Sequence, residues 1–70
     1  MGEIISQTAA QNVRAFRQRQ GMSQEELAYK AQLSVRTIRA IESGQRQMKI
    51  QTVYKLCQAL QVPASQLLSF

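Results

Sequence analysis

The chain has 70 residues, a single Cys, no His and a formal charge of +5. A Cys/His zinc tetrahedron, an intrachain disulfide and Ser–His or Cys–His dyads are therefore excluded within one copy. Only Glu3, Glu25, Glu26 and Glu42 supply carboxylates, and no nucleophile, base and orienting group form a constellation, so the chain reads as a non-enzyme without cofactor or metal.

In chain order, the first helix is expected from about Ser6 or Gln7 to Arg19 or Gln20, stopped by Gly21 as a C-cap residue. Ala9, Ala10, Val13, Phe16 and Gln20 mark its inner face. Residues 1–5 lack a helix signal and are open to fraying, although Ile4 and Ile5 are apolar enough to cover the core. Met22 precedes Ser23 as the apolar half of a hydrophobic staple. Ser23 and Glu26 then form a capping box, which starts a helix from about Gln24 to Ala31 with Leu27, Ala28 and Ala31 on one face. Ser34 is a second N-cap, for a helix from about Val35 to Ser43.

That third helix has two unlike sides. Ile38 and Ile41, with Thr37 beside them, share one face, while Arg36, Arg39, Ala40 and Ser43 point the other way. An apolar back with two arginines in front suits a DNA major groove, where arginine bonds guanine bidentately. Charge is distributed accordingly. Residues 1–26 are neutral in sum, and residues 27–70 carry the whole +5. By itself a basic half implies either a polyanionic partner or a solvated face.

Gly44 closes the third helix, and Gln45–Lys49 follows as a polar, basic loop. A fourth helix is expected from about Ile50 to Gln61, with Ile50, Val53, Leu56, Cys57 and Leu60 buried and Tyr54 beside them. Pro63 suits the first position of a short last helix, from which Leu67 and Leu68 pack back. No strand signal, repeat or linker interrupts the series, so residues 1–70 read as one all-α domain. A domain of this size buries only roughly 60% of its unfolded surface. No apolar run approaches the ~20 residues of a membrane span, and no signal peptide opens the chain; a cytoplasmic protein is the default expectation. The opening MGEIIS fits the loose myristoylation pattern, which is short enough to arise often by chance.

Across about Asn12–Leu68 the chain resembles the Cro/repressor-type (Xre-like) helix-turn-helix family, the compact five-helix DNA-binding domains of phage repressors and many bacterial regulators. The resemblance rests on VRAFRQRQGMSQEELAYKAQLSVRTIRAIESGQRQ and TVYKLCQALQVPASQLL. It implies a lambda-repressor-like five-helix bundle with the helix-turn-helix at about 23–44. It also implies a sequence-specific transcriptional regulator on double-stranded DNA. The second helix would straddle the backbone, with Ser23 and Gln24 at phosphate. The third would present Val35, Arg36, Arg39 and Ala40 to base edges. The loop after Gly44, with Arg46, Gln47, Met48 and Lys49, would lie along the sugar-phosphate backbone, and Arg17 would pair with Glu42 to tie helix 1 to the end of helix 3. An antitoxin or bridging-type interaction module on the same fold is the alternative.

Three positions depart from the family pattern. Gln32 stands where the inter-helix turn often carries glycine; at positive φ a side chain there costs on the order of 1 kcal/mol. Met48 replaces a frequent proline, which implies a less rigid loop. Lys49 replaces a usual Ser or Thr cap, and a cation at a helix N-terminus opposes the dipole.

Each candidate also has a plainer use. Val35 either touches a thymine methyl or pads the helix start, and Ala40 lets the helix sit close. Arg14, Arg19 and Lys55 have no assigned role. Cys57 reads as a small buried hydrophobe. Tyr54 can stack, reach a phosphate or cap the core edge. Leu67, Leu68 and Phe70 exceed what a short last helix can bury, which implies a homodimer through that helix, reading two half-sites; alternatively Phe70 closes the core.

Overall fold

The computed structural model describes residues 3–4, 7–45 and 48–68. Its elements run β1 (Glu3–Ile4), α1 (Gln7–Arg19), α2 (Gln24–Ala31), α3 (Val35–Glu42), β2 (Met48–Lys49), α4 (Ile50–Leu60) and α5 (Ala64–Leu67). The five expected helices are present, and their bounds fall within a residue or two of those read from caps and glycines.

The helix starts follow the side chains that cap them. Ser23 Oγ accepts from the Glu26 amide at 2.9 Å, and Ser34 Oγ accepts from the Thr37 amide at 3.0 Å. Each hydroxyl thus satisfies one orphan N–H. The capping box at Ser23 is only half made, because the Glu26 carboxylate lies 3.5 Å from Lys30 Nζ, one turn further on, instead of reaching back. Pro63 is the N-cap of α5, not its first helical residue; its carbonyl accepts from the Gln66 and Leu67 amides.

The helix ends share one device. In α1 the Gly21 amide donates to Gln18 O and the Met22 amide to Arg17 O. The same double bond recurs at Gln32/Leu33, Gly44/Gln45 and Gln61/Val62. This is the Schellman motif, which needs one left-handed residue. Gly21 (φ 70°) and Gly44 (φ 76°) meet that need without strain. Gln32 (φ 58°) and Gln61 (φ 57°) meet it with a Cβ in the way. The turn inside the helix-turn-helix is thus strained, not recast.

Every helix contributes to one core. Val13, Leu27, Ile38, Ile41, Leu56, Leu60 and Leu67 are its largest fully buried side chains. Burying each stabilises the fold by roughly 1.5–3 kcal/mol. Phe16 and Leu68 pack on it partly buried. Two side-chain amides close gaps between elements that no periodicity announces. Asn12 Nδ2 donates to Leu67 O at 2.9 Å, and Gln20 Nε2 donates to Leu60 O at 2.7 Å, a last-turn carbonyl of α4 that the Schellman bonds do not reach.

Several expectations need correction. Residues 3–4 form an antiparallel pair with 48–49, with Glu3 opposite Lys49 and Ile4 opposite Met48, where no strand was expected. Two residues per strand are too few to show alternation. Met48, assigned to a loose backbone-contacting loop, is instead buried in the core at the end of that pair. Ile50, expected inside, is 42% exposed. As the first residue of α4, its side chain leans toward the helix N-terminus, and burial begins at Val53. Tyr54, at 62% exposure, lies outside the core. Leu67 is fully buried within its own chain, which removes it from any contact between copies. Phe70 lies outside the described residues.

Candidate nucleic-acid interface

The outward side of α3 is set by its inward side. Ile38 and Ile41 are at most 1% exposed, which fixes the rotation of the helix about its axis. Arg36 and Arg39 are consequently exposed, as is Ser43, and Ala40 is half-buried between them. Val35 is half-buried and packs on the core, so padding the helix start is at least part of its use.

A polar chain joins this helix to α1 and α2. Arg17 Nε donates to Glu42 Oε2 at 2.7 Å, and its Nη2 donates to Oε1 at 3.1 Å. The third guanidinium nitrogen, Nη1, donates to Met22 O at 2.8 Å. Both side chains are nearly buried, at 11% and 5% exposure. Glu42 Oε1 also accepts from Gln24 Nε2 at 3.2 Å. Gln24 Oε1 in turn accepts from Arg39 Nε at 3.3 Å. Arg39 Nη2 ends the chain 3.9 Å from Glu25 Oε2.

The expected Arg17–Glu42 pair therefore exists, and it is more than a surface contact. Burial and fork-to-fork geometry make it specific in direction. Its carbonyl and amide partners leave neither charge unsatisfied. The network also fixes Gln24, whose amide group spans from the end of α3 to Arg39. One of its two N–H donors stays free for an outside acceptor.

A cleft of about 250 Å³ opens beside this network, lined by Arg14, Arg17, Gln24, Arg39, Glu42 and Ser43. Because Glu42 is neutralised by Arg17, the remaining charge on its walls is positive, from Arg14 and from Arg39, whose acidic neighbour Glu25 lies outside the lining. Arg14 had no assigned role; three-dimensional proximity across α1, α2 and α3 brings it in, which linear spacing does not show. The same holds for Glu25, fourteen residues from Arg39 in sequence.

Lys49 is exposed and stands as the N-cap of α4, in extended backbone (φ −78°, ψ 159°) with no side-chain cap bond. The loss inferred from its side chain is real, and the β1–β2 pair holds its backbone instead. Ser23 is spent as an N-cap acceptor, but its O–H remains able to donate. Arg46 and Gln47, two of the expected backbone contacts, lie outside the described residues. Among the described residues no group of three or more His, Cys, Asp or Glu could hold a metal, and no helix is long and apolar enough to cross a membrane.

A helix-turn-helix family model matches residues 13–67. Among solved structures, the restriction-modification controller protein C.AhdI from Aeromonas hydrophila is 32% identical, with a TM-score of 0.83 over 86% of this chain and 91% of that one. A hypothetical transcription factor, NHTF from Neisseria, is 35% identical, with a TM-score of 0.86 over 93% of this chain and 75% of that one. The clp gene regulator ClgR from C. glutamicum shares the fold at a TM-score of 0.85 and 22% identity, over 93% of this chain and 84% of that one. No curated protein matches the sequence at a significant level.

Proposed function

The chain belongs to the Xre-like helix-turn-helix family of DNA-binding transcription regulators, and from that premise we propose how it reads DNA. It is a sequence-specific regulator that lays α3 in the major groove. Arg36 and Arg39 bond base edges, Val35 contacts a thymine methyl where one is present, and Ala40 permits close approach. Ser23, Gln24 and Lys49, with Arg46 and Gln47, hold backbone phosphates and set register. The observation that carries this reading is the rotation of α3: its isoleucines are buried and both arginines face out. The free donor of Gln24 and the open hydroxyl of Ser23 fit the phosphate role. The likeness to C.AhdI supports a controller-type regulator.

An eight-residue helix is about 12 Å long, so one copy reads only a few base pairs. Two copies on a two-fold operator supply the rest, at half-sites about 34 Å apart. With Leu67 in the core, half-buried Leu68 remains for that contact among the described residues that follow Pro63. A protein that sediments as a monomer at tens of micromolar, with and without the preferred duplex, overturns the dimer.

Selection of bound duplexes from a random pool tests the whole reading. It is expected to return one enriched motif with two-fold symmetry. Arg36→Ala should then relax preference at one base pair by about 1–3 kcal/mol. Recovery of unenriched sequence would overturn specific recognition.

A further inference from the structure

We infer that the cleft between α1, α2 and α3 seats one DNA backbone phosphate, and that Arg14, on α1, holds it together with Gln24; the inference rests on the proposed reading by α3. Arg14 and Arg17 lie three residues apart, on neighbouring positions of one face of α1, and both line the cleft. Glu42 is the one acid in that lining, and Arg17 takes both its oxygens, at 2.7 and 3.1 Å. Arg14 is exposed and has no hydrogen bond or ion pair among the described residues. The cleft therefore holds a guanidinium that the chain gives no anion.

Gln24 faces it from α2. Its Nε2 spends one N–H on Glu42 Oε1 at 3.2 Å and keeps the other. Its Oε1 is held by Arg39 Nε at 3.3 Å, so the amide is oriented before DNA arrives. Ser43 Oγ donates to Ala40 O at 2.9 Å and has no second proton to give. Arg14 and the spare Gln24 N–H are thus a charged fork and a neutral donor at one opening of about 250 Å³, a pair suited to the oxygens of a single phosphate. The occupant is a phosphate of the duplex because Arg39 and Ser43, on the outward face of α3, form the cleft's other wall. With α3 in the groove, the strand beside that groove passes the opening. Arg14 touches no base, so its contribution is equal on every sequence.

The test uses the full chain, the duplex recovered by selection and a random duplex of the same length. Arg14→Gln is expected to weaken binding to both by a similar factor, roughly eightfold at 0.1 M salt, and to make the log–log salt slope shallower by about 0.9. Arg14→Lys keeps the charge and should keep the slope. Arg19→Gln is the matched control: it removes an equal charge from α1, but its guanidinium lies 5.4 Å over the Phe16 ring and outside the cleft lining, so the slope should stay at the wild-type value. Neutral methylphosphonates placed one at a time along the selected duplex then locate the phosphate. Arg14→Gln should lose the wild-type penalty at one position, and Gln24→Ala should lose it at the same one. Equal slope changes for Arg14→Gln and Arg19→Gln, or an Arg14→Gln protein that keeps every methylphosphonate penalty, would overturn the inference while leaving recognition by α3 standing. Penalties lost at different positions in the two variants would overturn the shared phosphate. A wild type that binds selected and random duplexes alike, with no sensitive position, would overturn both readings.

Discussion

Arg17 and Glu42 form a bidentate ion pair, 2.7 and 3.1 Å long, that fastens the C-terminal part of α1 to the last residue of α3. The pair explains how an eight-residue helix with only Ile38 and Ile41 fully inside is held at a fixed angle. The isoleucines set its rotation, and Glu42 sets its far end. Gln24 and Arg39 extend the same network to the outward face, so support and candidate reading surface are continuous.

Breaking this pair from either side should be costly, because the partner left behind is a nearly buried charge. Arg17→Ala and Glu42→Ala are each expected to lower stability by about 3 kcal/mol. The double variant should lose less than the sum, a coupling readable in a double-mutant cycle by urea unfolding. Additive losses would mean that the two residues stabilise the fold independently.

The strained turns make the opposite kind of prediction. Gln32 and Gln61 hold φ near 58° and 57° at the C′ position of α2 and α4. Glycine there removes the Cβ clash at the price of greater freedom in the unfolded chain. Gln32→Gly and Gln61→Gly are each expected to stabilise by about 1 kcal/mol, seen as a higher thermal midpoint. Gly21→Ala should lose a similar amount through φ alone, since an added Cβ there meets nothing within 4 Å. A lower midpoint for Gln32→Gly would show that its side chain has a use that outweighs the strain.

Much of this was legible in the chain itself, for reasons that separate cleanly. Ser23, Ser34, Gly21 and Gly44 act on bonds within four residues, and local chemistry of that kind is written in local sequence. The inner faces of α1 to α3 follow the helical period, so their orientation, and with it the outward turn of Arg36 and Arg39, could be read. The Arg17–Glu42 pair came from family resemblance, not from spacing. Contacts set by the final packing were silent: Asn12 to Leu67, Gln20 to Leu60, Arg39 to Glu25, and Glu3–Ile4 beside Met48–Lys49. Ile50 misled because the helical period does not say where a helix leaves the core.

Cys57 should behave as a buried thiol. Burial pushes its pKa above the ordinary value, so the thiolate is scarce as well as shielded. Alkylation by iodoacetamide at pH 8 is expected to be slow in buffer and fast in denaturing urea. The sign with pH follows from linkage. Below the ordinary thiol pKa both folded and unfolded states keep the proton, and nothing is lost. Above it the unfolded state releases its proton first, so stability falls as pH rises toward the raised folded pKa. Cys57→Ala should lack that alkaline component. Fast alkylation of the folded protein would contradict the burial.

Lys49 separates stability from affinity at one position. It caps α4 with no side-chain bond, and its charge opposes the positive end of the helix dipole. Lys49→Ser supplies the missing acceptor and removes the charge, so it should stabilise by about 1 kcal/mol, raising the thermal midpoint by roughly 4–8 °C. The same change removes a cation proposed to meet a phosphate. Binding should weaken by a similar factor on every sequence, with the log–log salt slope shallower by about 0.9. The pair of outcomes is what distinguishes a functional lysine from an accident of the cap. Higher stability with unchanged binding and slope would mean that the lysine burdens the fold without serving the interface, and lower stability would mean that the extended backbone held by Glu3–Ile4 leaves no room for a serine cap to form.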